Sequence, residues 1–167
     1  REFLAATGNG MLCDLIDSGD AALITSFSSK LFPLLRQYYY VGGMPEAVSA
    51  FLERGLLEDA RKVQLEILNG YERDVSKHLS RTETEYALAA WKSIPSHLGR
   101  ENKKFVFSHI AQGARAKNYR SGITWLTQAG ITEIVRRISK PGMPLRPYAD
   151  DSAFKLFLVD VGLLGAM

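Results

Sequence analysis

The residues best suited to acid–base or metal chemistry in this chain are its histidines. Asp74 and His78 lie one helical turn apart, with Lys77 beside them, a spacing that could support acid–base catalysis or metal binding. No third metal ligand stands at a suitable spacing, so an ion pair on a helix surface or a contact to a neighbouring module is the favoured interpretation. His97 and His109 lie near a serine-containing, basic region, but no nucleophile, base and orienting group occur together. We therefore expect no catalytic residue and no metal site.

A second kind of chemistry, the binding of anionic groups, is indicated by residues 92–146. This stretch holds eleven lysines and arginines against Glu101 and Glu133, a net charge of +9, whereas the whole chain sums to +3. Residues 1–80 have eight basic and eleven acidic side chains, and residues 81–167 have thirteen and seven. A charge division of this kind favours a basic face for nucleic acid or for an acidic partner.

Two groups of basic residues are candidate nucleic-acid contacts. Arg115, Lys117 and Arg120 cluster on the first two turns of a predicted helix, where a recognition helix enters the major groove. The flanking group, which we expect to meet phosphates, consists of Lys103, Lys104, Arg136 and Arg137.

Composition limits the class of protein. Apolar residues make up 46% of the 167 residues, enough for a core without disulfides or metal. A single cysteine fits a reducing cytoplasm. The longest apolar run, residues 157–167, is interrupted by Asp160 and falls short of the ~20 residues that span a bilayer. No signal peptide opens the chain, so we expect a cytoplasmic protein without membrane contact. The missing initiator methionine and the abrupt apolar end predict a piece cut from a longer protein.

The elements that position these side chains are predicted to be mostly helices. In the first half we predict helices at residues 2–16 with a break at 8–10, at 28–38, at 45–53 and at 57–78. Pro45 suits the first turn of its helix and Gly55 ends that helix. The helix at 57–78 has one apolar stripe, formed by Ala60, Val63, Ile67, Tyr71 and Val75.

The second half follows the order of a winged helix-turn-helix. A capping box at Thr82 and Glu85 predicts a helix that ends near Ser93, because Pro95 disfavours helical geometry before it. The predicted elements that follow are a strand at 103–110, a small middle helix at 108–113, a helix at 115–129 stopped by Gly130, and strands at 131–139 and 154–161. The last two strands and their proline-rich loop would form the wing.

These elements predict a mainly α fold in two parts. A helical subdomain of lid or linker type is expected at residues 1–80. A winged-helix-like subdomain, with a winged helix-turn-helix and a small β-hairpin wing, is expected at residues 81–167.

Short motifs occur in a fixed order along nearly the whole chain. Those with most weight are Gly42-Gly43-Met44-Pro45-Glu46 and Phe154-Lys155-Leu156-x-Leu158-x-Asp160-x-Gly162-Leu163-Leu164. Others are Tyr71-x-x-Asp74-x-Ser76-Lys77-His78, Ser93-Ile94-Pro95-x-x-Leu98, Glu101-Asn102-Lys103-Lys104-Phe105 and Trp125-Leu126-x-x-Ala129-Gly130. Together they resemble the uncharacterised C-terminal region of a large prokaryotic family of AAA-type ATPases.

The resemblance implies a P-loop ATPase core upstream and a segment similar to a restriction endonuclease downstream. This sequence has no Gly-x-x-x-x-Gly-Lys-Ser/Thr, and no Asp followed by Glu-x-Lys comes after Leu164. We therefore expect a non-catalytic module without a cofactor of its own, in which ATP and magnesium belong to the absent upstream core.

Two functions from different classes follow. One is binding of double-stranded DNA through the basic winged helix. The other is a protein-protein adaptor or oligomerisation module, in which the helix to His78 and the Gly-Gly-Met-Pro loop couple the ATPase core to a partner. The expected partners are thus the module's own ATPase core, double-stranded DNA and a second copy of the chain. One exposed basic face favours DNA, whereas pairing of these cations with acidic residues of the first half favours the adaptor.

Overall fold

The computed structural model describes all 167 residues and is mainly helical, at 64%, with one two-stranded antiparallel sheet. The prediction of a mainly α fold is confirmed. The helices are α1 (Glu2–Ala6), α2 (Gly10–Asp17), α3 (Ala21–Ser26), α4 (Ser28–Val41), α5 (Pro45–Arg54), α6 (Leu57–His78), α7 (Arg81–Lys92), α8 (Ile94–Leu98), α9 (Ala116–Gln128) and α10 (Val161–Ala166). The strands are β1 (Thr132–Ile138) and β2 (Ala149–Leu158), and 3-10 turns occupy Phe107–His109 and Arg146–Tyr148. None of the helices combines the length and the apolar character that a membrane-spanning segment requires.

The chain divides into two compact units. The first unit comprises residues 1–68 and 160–166, and the second comprises residues 69–159 and 167. The bounds differ from the subdomains expected at 1–80 and 81–167, because α10 packs on α4 within the first unit. The division into a lid-like and a winged-helix-like subdomain stays a prediction.

The core of the first unit is built from α1, α4, α5 and the first part of α6. Its buried side chains are Phe3, Val41, Ala47, Val48, Phe51 and Ala60, with Tyr38, Met44 and Val63 packed against them. The predicted helix bounds are confirmed for α6, and α5 begins at Pro45 and ends at a left-handed Gly55 as predicted. The stripe on α6 also contains a buried Gln64, which a search for apolar residues misses.

A cluster of buried polar contacts fixes α10 to the loop between α4 and α5. We call this cluster the Asp160 clasp. The Asp160 side chain is 9% exposed and accepts hydrogen bonds from the backbone N–H groups of Gly43, at 2.6 Å, and Leu163, at 2.9 Å. Gln64 Nε2 donates to the carbonyl oxygens of Tyr40 and Val41, each at 2.8 Å. The two motifs that carry most of the resemblance therefore meet at the clasp and have a packing role there.

In the second unit, α9 lies close against α7. A Cβ added at Gly122 of α9 would lie 2.7 Å from the Cβ of Ala87 on α7, so only a residue without a side chain allows this approach. Buried side chains from α7, α8, α9 and β2 complete the core, among them Trp91, Ile94, Leu126 and Leu156.

The start of α7 differs from the prediction. Ser80 is the N-cap, and a capping box with Glu83 is present, so the box predicted at Thr82 and Glu85 is wrong. The sequence offers the same four-residue pattern at both places, and the chain uses the earlier one. The helix ends at Lys92, as predicted.

The segment between α8 and α9 is also different from the prediction. The strand predicted at 103–110 is wrong, because only Phe105 bonds to a strand, through its N–H to the carbonyl oxygen of Phe154 at 2.9 Å. The carbonyl oxygen of Val106 instead lies 3.0 Å from His97 Nε2. The helix predicted at 108–113 is wrong as well, because only the 3-10 turn Phe107–His109 forms there.

The predicted β-hairpin is confirmed. Strands β1 and β2 pair antiparallel from Thr132 opposite Leu158 to Ile138 opposite Ala149, with an irregularity between Arg136 and Arg137. The second strand begins earlier than predicted and ends at Leu158, because Asp160 bonds to the first turn of α10.

Candidate nucleic-acid interface

Asp74, Lys77 and His78 make surface contacts within the second unit. Lys77 Nζ lies 3.0 Å from Asp74 Oδ1, and this hydrogen bond lowers the pKa of Asp74 below its usual range. The His78 ring stacks on Trp125 with 5.8 Å between ring centroids. No group of three or more His, Cys, Asp or Glu side chains is arranged to hold a metal ion.

His97 lies in the packing between α8 and the segment that follows it, and the exposed His109 lies beside it, with 5.7 Å between the ring centroids. His97 is 1% exposed, and its two ring nitrogens lie 2.8 Å from the Ser93 carbonyl oxygen and 3.0 Å from that of Val106. Its ring stacks on Phe105 at 4.4 Å. Burial, followed by the nearby charges of Arg100 and His97, lowers the pKa of His109. These contacts hold the turn that leads into α9.

The helix α9 has one buried face and one exposed polar face. The buried residues are Tyr119, Gly122, Ile123 and Leu126. Helical spacing of 100° per residue places five exposed residues on the opposite side, Lys117, Arg120, Ser121, Thr124 and Gln128. We call these five residues the α9 polar face. Ala116, in the first turn, is exposed as well.

Arg115, Lys117 and Arg120 lie at the N-cap and on the first two turns of α9. Arg115 is the N-cap residue and makes no side-chain cap bond, and all three side chains are exposed. None of them forms an ion pair. The positive end of the helix dipole adds to their charge, so the start of α9 attracts anions.

The four flanking candidates form two groups, two lysines without ion pairs and two arginines with them. Lys103 is exposed, Lys104 is half-buried, and neither has an ion pair. Arg136 and Arg137 are paired across the β-hairpin, Arg136 Nε with Asp151 Oδ1 at 2.7 Å and Arg137 with Asp150 Oδ2 at 2.6 Å. Their charge is thus partly neutralised by carboxylates of the hairpin itself.

The basic loop of the β-hairpin and the neutral part of the α9 polar face are missing from the sequence-based selection. Lys140 and Arg146 lie exposed and without ion pairs in the loop at residues 139–148. Thr124 and Gln128 share the exposed face with Lys117. Steps of three and four residues from Lys117 along the predicted helix would have identified both neutral residues.

The basic excess belongs to the second unit. This unit has fifteen lysines and arginines and eight acidic residues, a net charge of +7. The first unit has six and ten, a net charge of −4. The cations of the candidate interface therefore lie in a unit whose overall potential attracts phosphate.

The first unit has a different surface feature, an open apolar groove between α1, α4 and α5 with a volume of about 1140 Å³. Phe32 and Leu35 of α4 line it and are 60% and 40% exposed. An exposed apolar surface of this kind is typical of a protein contact.

Comparison with known proteins identifies a family. The family described as Domain of unknown function (DUF8612) matches residues 33–167. No curated protein and no solved structure matches the chain. The family match includes α5 to α10, both strands and all seven basic residues selected from the sequence.

Proposed function

Because the chain belongs to DUF8612, a family of domains of unknown function, we propose a function from its site: a non-catalytic module that binds double-stranded DNA through a basic winged helix. The observation that carries this proposal is the start of α9. There Arg115, Lys117 and Arg120 are exposed, free of ion pairs and next to the positive end of a helix dipole.

The order of elements in the second unit supports a winged helix. In this proposal α7 and α8 form the first helical part, and Phe105 marks a vestigial strand that bonds once to β2. The 3-10 turn Phe107–His109 takes the place of the middle helix, α9 is the recognition helix, and β1 and β2 form the wing. The exposed cations Lys140 and Arg146 then lie at the wing tip, where they could meet phosphates.

We also propose that the module works as part of a larger AAA-type ATPase, whose core is its intramolecular partner. The order of the sequence motifs supports this assignment. The sequence lacks the glycine-rich loop and lysine that cradle phosphates, so ATP and magnesium would bind in the core and the module itself would catalyse nothing.

The test is fluorescence anisotropy of a labelled random-sequence duplex, titrated with the whole chain at several salt concentrations. Each phosphate contact releases counterions, so the logarithm of the binding constant falls by about 0.9 per contact for each tenfold rise in salt. The triple variant Arg115→Ala, Lys117→Ala, Arg120→Ala is expected to bind more weakly and with a shallower salt dependence.

A charge-matched control separates this site from net charge. Lys30, Arg36 and Lys62 are exposed cations of the first unit, and their change to alanine removes the same charge. We expect this control to bind DNA as the unaltered chain does. Absence of binding by the folded chain at low salt, or equal weakening by both triple variants, would contradict the proposal.

The second candidate function, a protein adaptor or oligomerisation module, is favoured by the apolar groove of the first unit. If α4 contacts a second copy of the chain there, Leu35→Glu is expected to abolish self-association, because burial of a carboxylate in an apolar contact is costly. Sedimentation equilibrium of the unaltered chain and of the Leu35→Glu variant measures their self-association directly. If both are monomers, the homo-oligomer is excluded.

A further inference from the structure

We propose that DNA binding by this module is sequence-selective, and that Thr124 and Gln128 of the α9 polar face are its specificity-determining residues. The inference rests on the proposed function and extends it from phosphate attraction to base recognition. It assigns to neutral side chains a role that the basic residues alone do not supply.

The first support is the composition around α9. From Asn102 to Thr132 the chain contains no Asp or Glu, and α9 itself has none in 13 residues. A solvated helix face ordinarily mixes acidic and basic side chains, as α6 does with Glu58, Lys62 and Glu66. Acidic side chains are disfavoured on a surface that approaches phosphates, so their absence from α9 itself favours a helix matched to a polyanion.

The second support is the arrangement of the neutral residues. Thr124 and Gln128 are seven and eleven residues after Lys117, so all three project within a narrow sector of the helix. Both are exposed and make no side-chain hydrogen bond to another element. Thr124 can contact a thymine methyl group or a base-edge acceptor, and the Gln128 amide can bond to both N6 and N7 of adenine.

Ser121 does not join this pair. A hydrogen bond with its hydroxyl contributes to the lowered pKa of Glu83, after the larger contributions of the Ser80 side chain and backbone. The Ser121 hydroxyl can donate to the Glu83 carboxylate and still accept a hydrogen bond, so its exclusion rests on this nearby carboxylate, which disfavours a contact to DNA. The remaining hydrogen-bonding side chains of the face are Lys117, Arg120, Thr124 and Gln128.

The length of this face limits the site that it can read. From Lys117 to Gln128 the helix advances eleven residues, about 16 Å at ~1.5 Å per residue. DNA advances ~3.4 Å per base pair, so the face covers about four to five base pairs in the major groove. We expect a preferred sequence of this length for one copy of the chain.

The experiment is selection of bound duplexes from a random library by the whole chain, followed by affinities for the enriched and a scrambled duplex. We expect both Gln128→Ala and Thr124→Ala to reduce the ratio of these two affinities. For Gln128→Ala, which loses a bidentate contact, the expected reduction is about 5- to 150-fold. Their salt dependence is expected to stay unchanged, since neither residue carries charge. Gln37→Ala, an exposed glutamine on α4, is the matched control and is expected to leave the ratio unchanged.

The outcomes distinguish this inference from the function on which it rests. Binding without an enriched sequence, or a preference that neither variant alters, would overturn the role of Thr124 and Gln128 and leave DNA binding standing. A folded chain that binds no duplex at low salt would overturn both.

Discussion

The side chain of Asp160 occupies the space that a side chain at Gly42 would need. Gly42 has φ of +75°, in the left-handed region, and a Cβ on it would overlap Asp160 Oδ1. Asp160 cannot move without losing its hydrogen bonds to the N–H groups of Gly43 and Leu163. At this position the sequence is therefore restricted by two separate causes, backbone conformation and lack of space.

Gly42→Ala tests both causes together. The backbone of Gly42 has φ of +75° and ψ of −163°, a region essentially restricted to glycine, which should cost an alanine about 1–3 kcal/mol. Overpacking against the clasp should add about 1–3 kcal/mol. Gly8→Ala is the reference, since φ there is also +75° but nothing lies within 4 Å of an added Cβ. Urea unfolding of the two variants measures the difference, and equal losses would show that the clasp tolerates a methyl group.

The carboxylate of Asp150 predicts a pH dependence at the loop end of the β-hairpin. The Ser152 hydroxyl, the Ser152 backbone N–H and then Arg137 lower the pKa of Asp150 from 3.8 to about 2. Because the pKa of Asp150 is lower in the folded chain than in the unfolded chain, the ionised carboxylate stabilises the fold at pH values above about 3.8. This stabilisation is lost as the pH falls towards 2. Asp150→Asn should therefore be less stable than the unaltered chain at pH 6, with the difference shrinking between pH 4 and pH 2.

The order of these causes can be checked by NMR titration of the Asp150 carboxyl carbon. Ser152→Ala removes the first contribution and should raise the pKa of Asp150 more than Arg137→Ala does. A larger effect from Arg137→Ala would mean that the ion pair across the β-hairpin is the dominant contact.

At the scale of elements, the packing of α9 on α7 depends on Gly122. Its α-carbon faces Ala87 so closely that Gly122→Ala should cost about 1–3 kcal/mol through overpacking. Gly70 in α6 has open space around it, and Gly70→Ala should stabilise the protein by about 0.5–1 kcal/mol because alanine favours the helix. Guanidinium unfolding curves should thus shift in opposite directions. A shift of both curves to higher denaturant would show that α7 and α9 separate at little cost.

Elements in which an apolar pattern repeats over several turns, or whose end residues have strong backbone preferences, could be predicted from the sequence. The helix α6 has the predicted bounds, and α5 begins and ends at residues whose backbone preferences determine those positions. The alternation of Phe105, Val106 and Phe107 predicted a strand that does not form. There, buried His97 contacts the Val106 carbonyl oxygen, so this group faces a side chain instead of a neighbouring strand. Alternation reports which side chains are buried, but not which partner the backbone finds.

The sequence predicted only part of the candidate site, because contacts between elements are not visible in local patterns. The exposed position of Arg115, Lys117 and Arg120 follows from helical spacing alone. The pairing of Arg136 with Asp151 and of Arg137 with Asp150 depends on the register of the hairpin, including an irregularity between the two arginines. The positions of the charged residues in the sequence do not indicate the register of the hairpin.

At the scale of the whole molecule, the chain returns to its first unit at Asp160. The hydrogen bond from Gly43 to Asp160 joins residues 117 positions apart, and no local pattern indicates it. In the sequence Asp160 is only a polar interruption of an apolar run. Charge, by contrast, could be read correctly from the sequence: the acidic first part and the basic second part correspond to net charges of −4 and +7 in the two units.

This division of charge predicts where bound DNA protects the chain from hydrogen exchange. Phosphates are attracted to the second unit and repelled by the first, and a ligand slows exchange only where it contacts or stabilises the backbone. We expect a saturating duplex at low salt to protect peptides from α9 and from the loop at residues 139–148. Peptides from α1, α4 and α5 should exchange at the same rate with and without DNA, and protection should disappear at high salt because counterions replace the protein. The variant with alanine at Arg115, Lys117 and Arg120 is the control, since it keeps the same amides and loses the contacts. Protection of the groove peptides with none in α9 would reverse the assignment and place the interaction surface of this domain in its first unit.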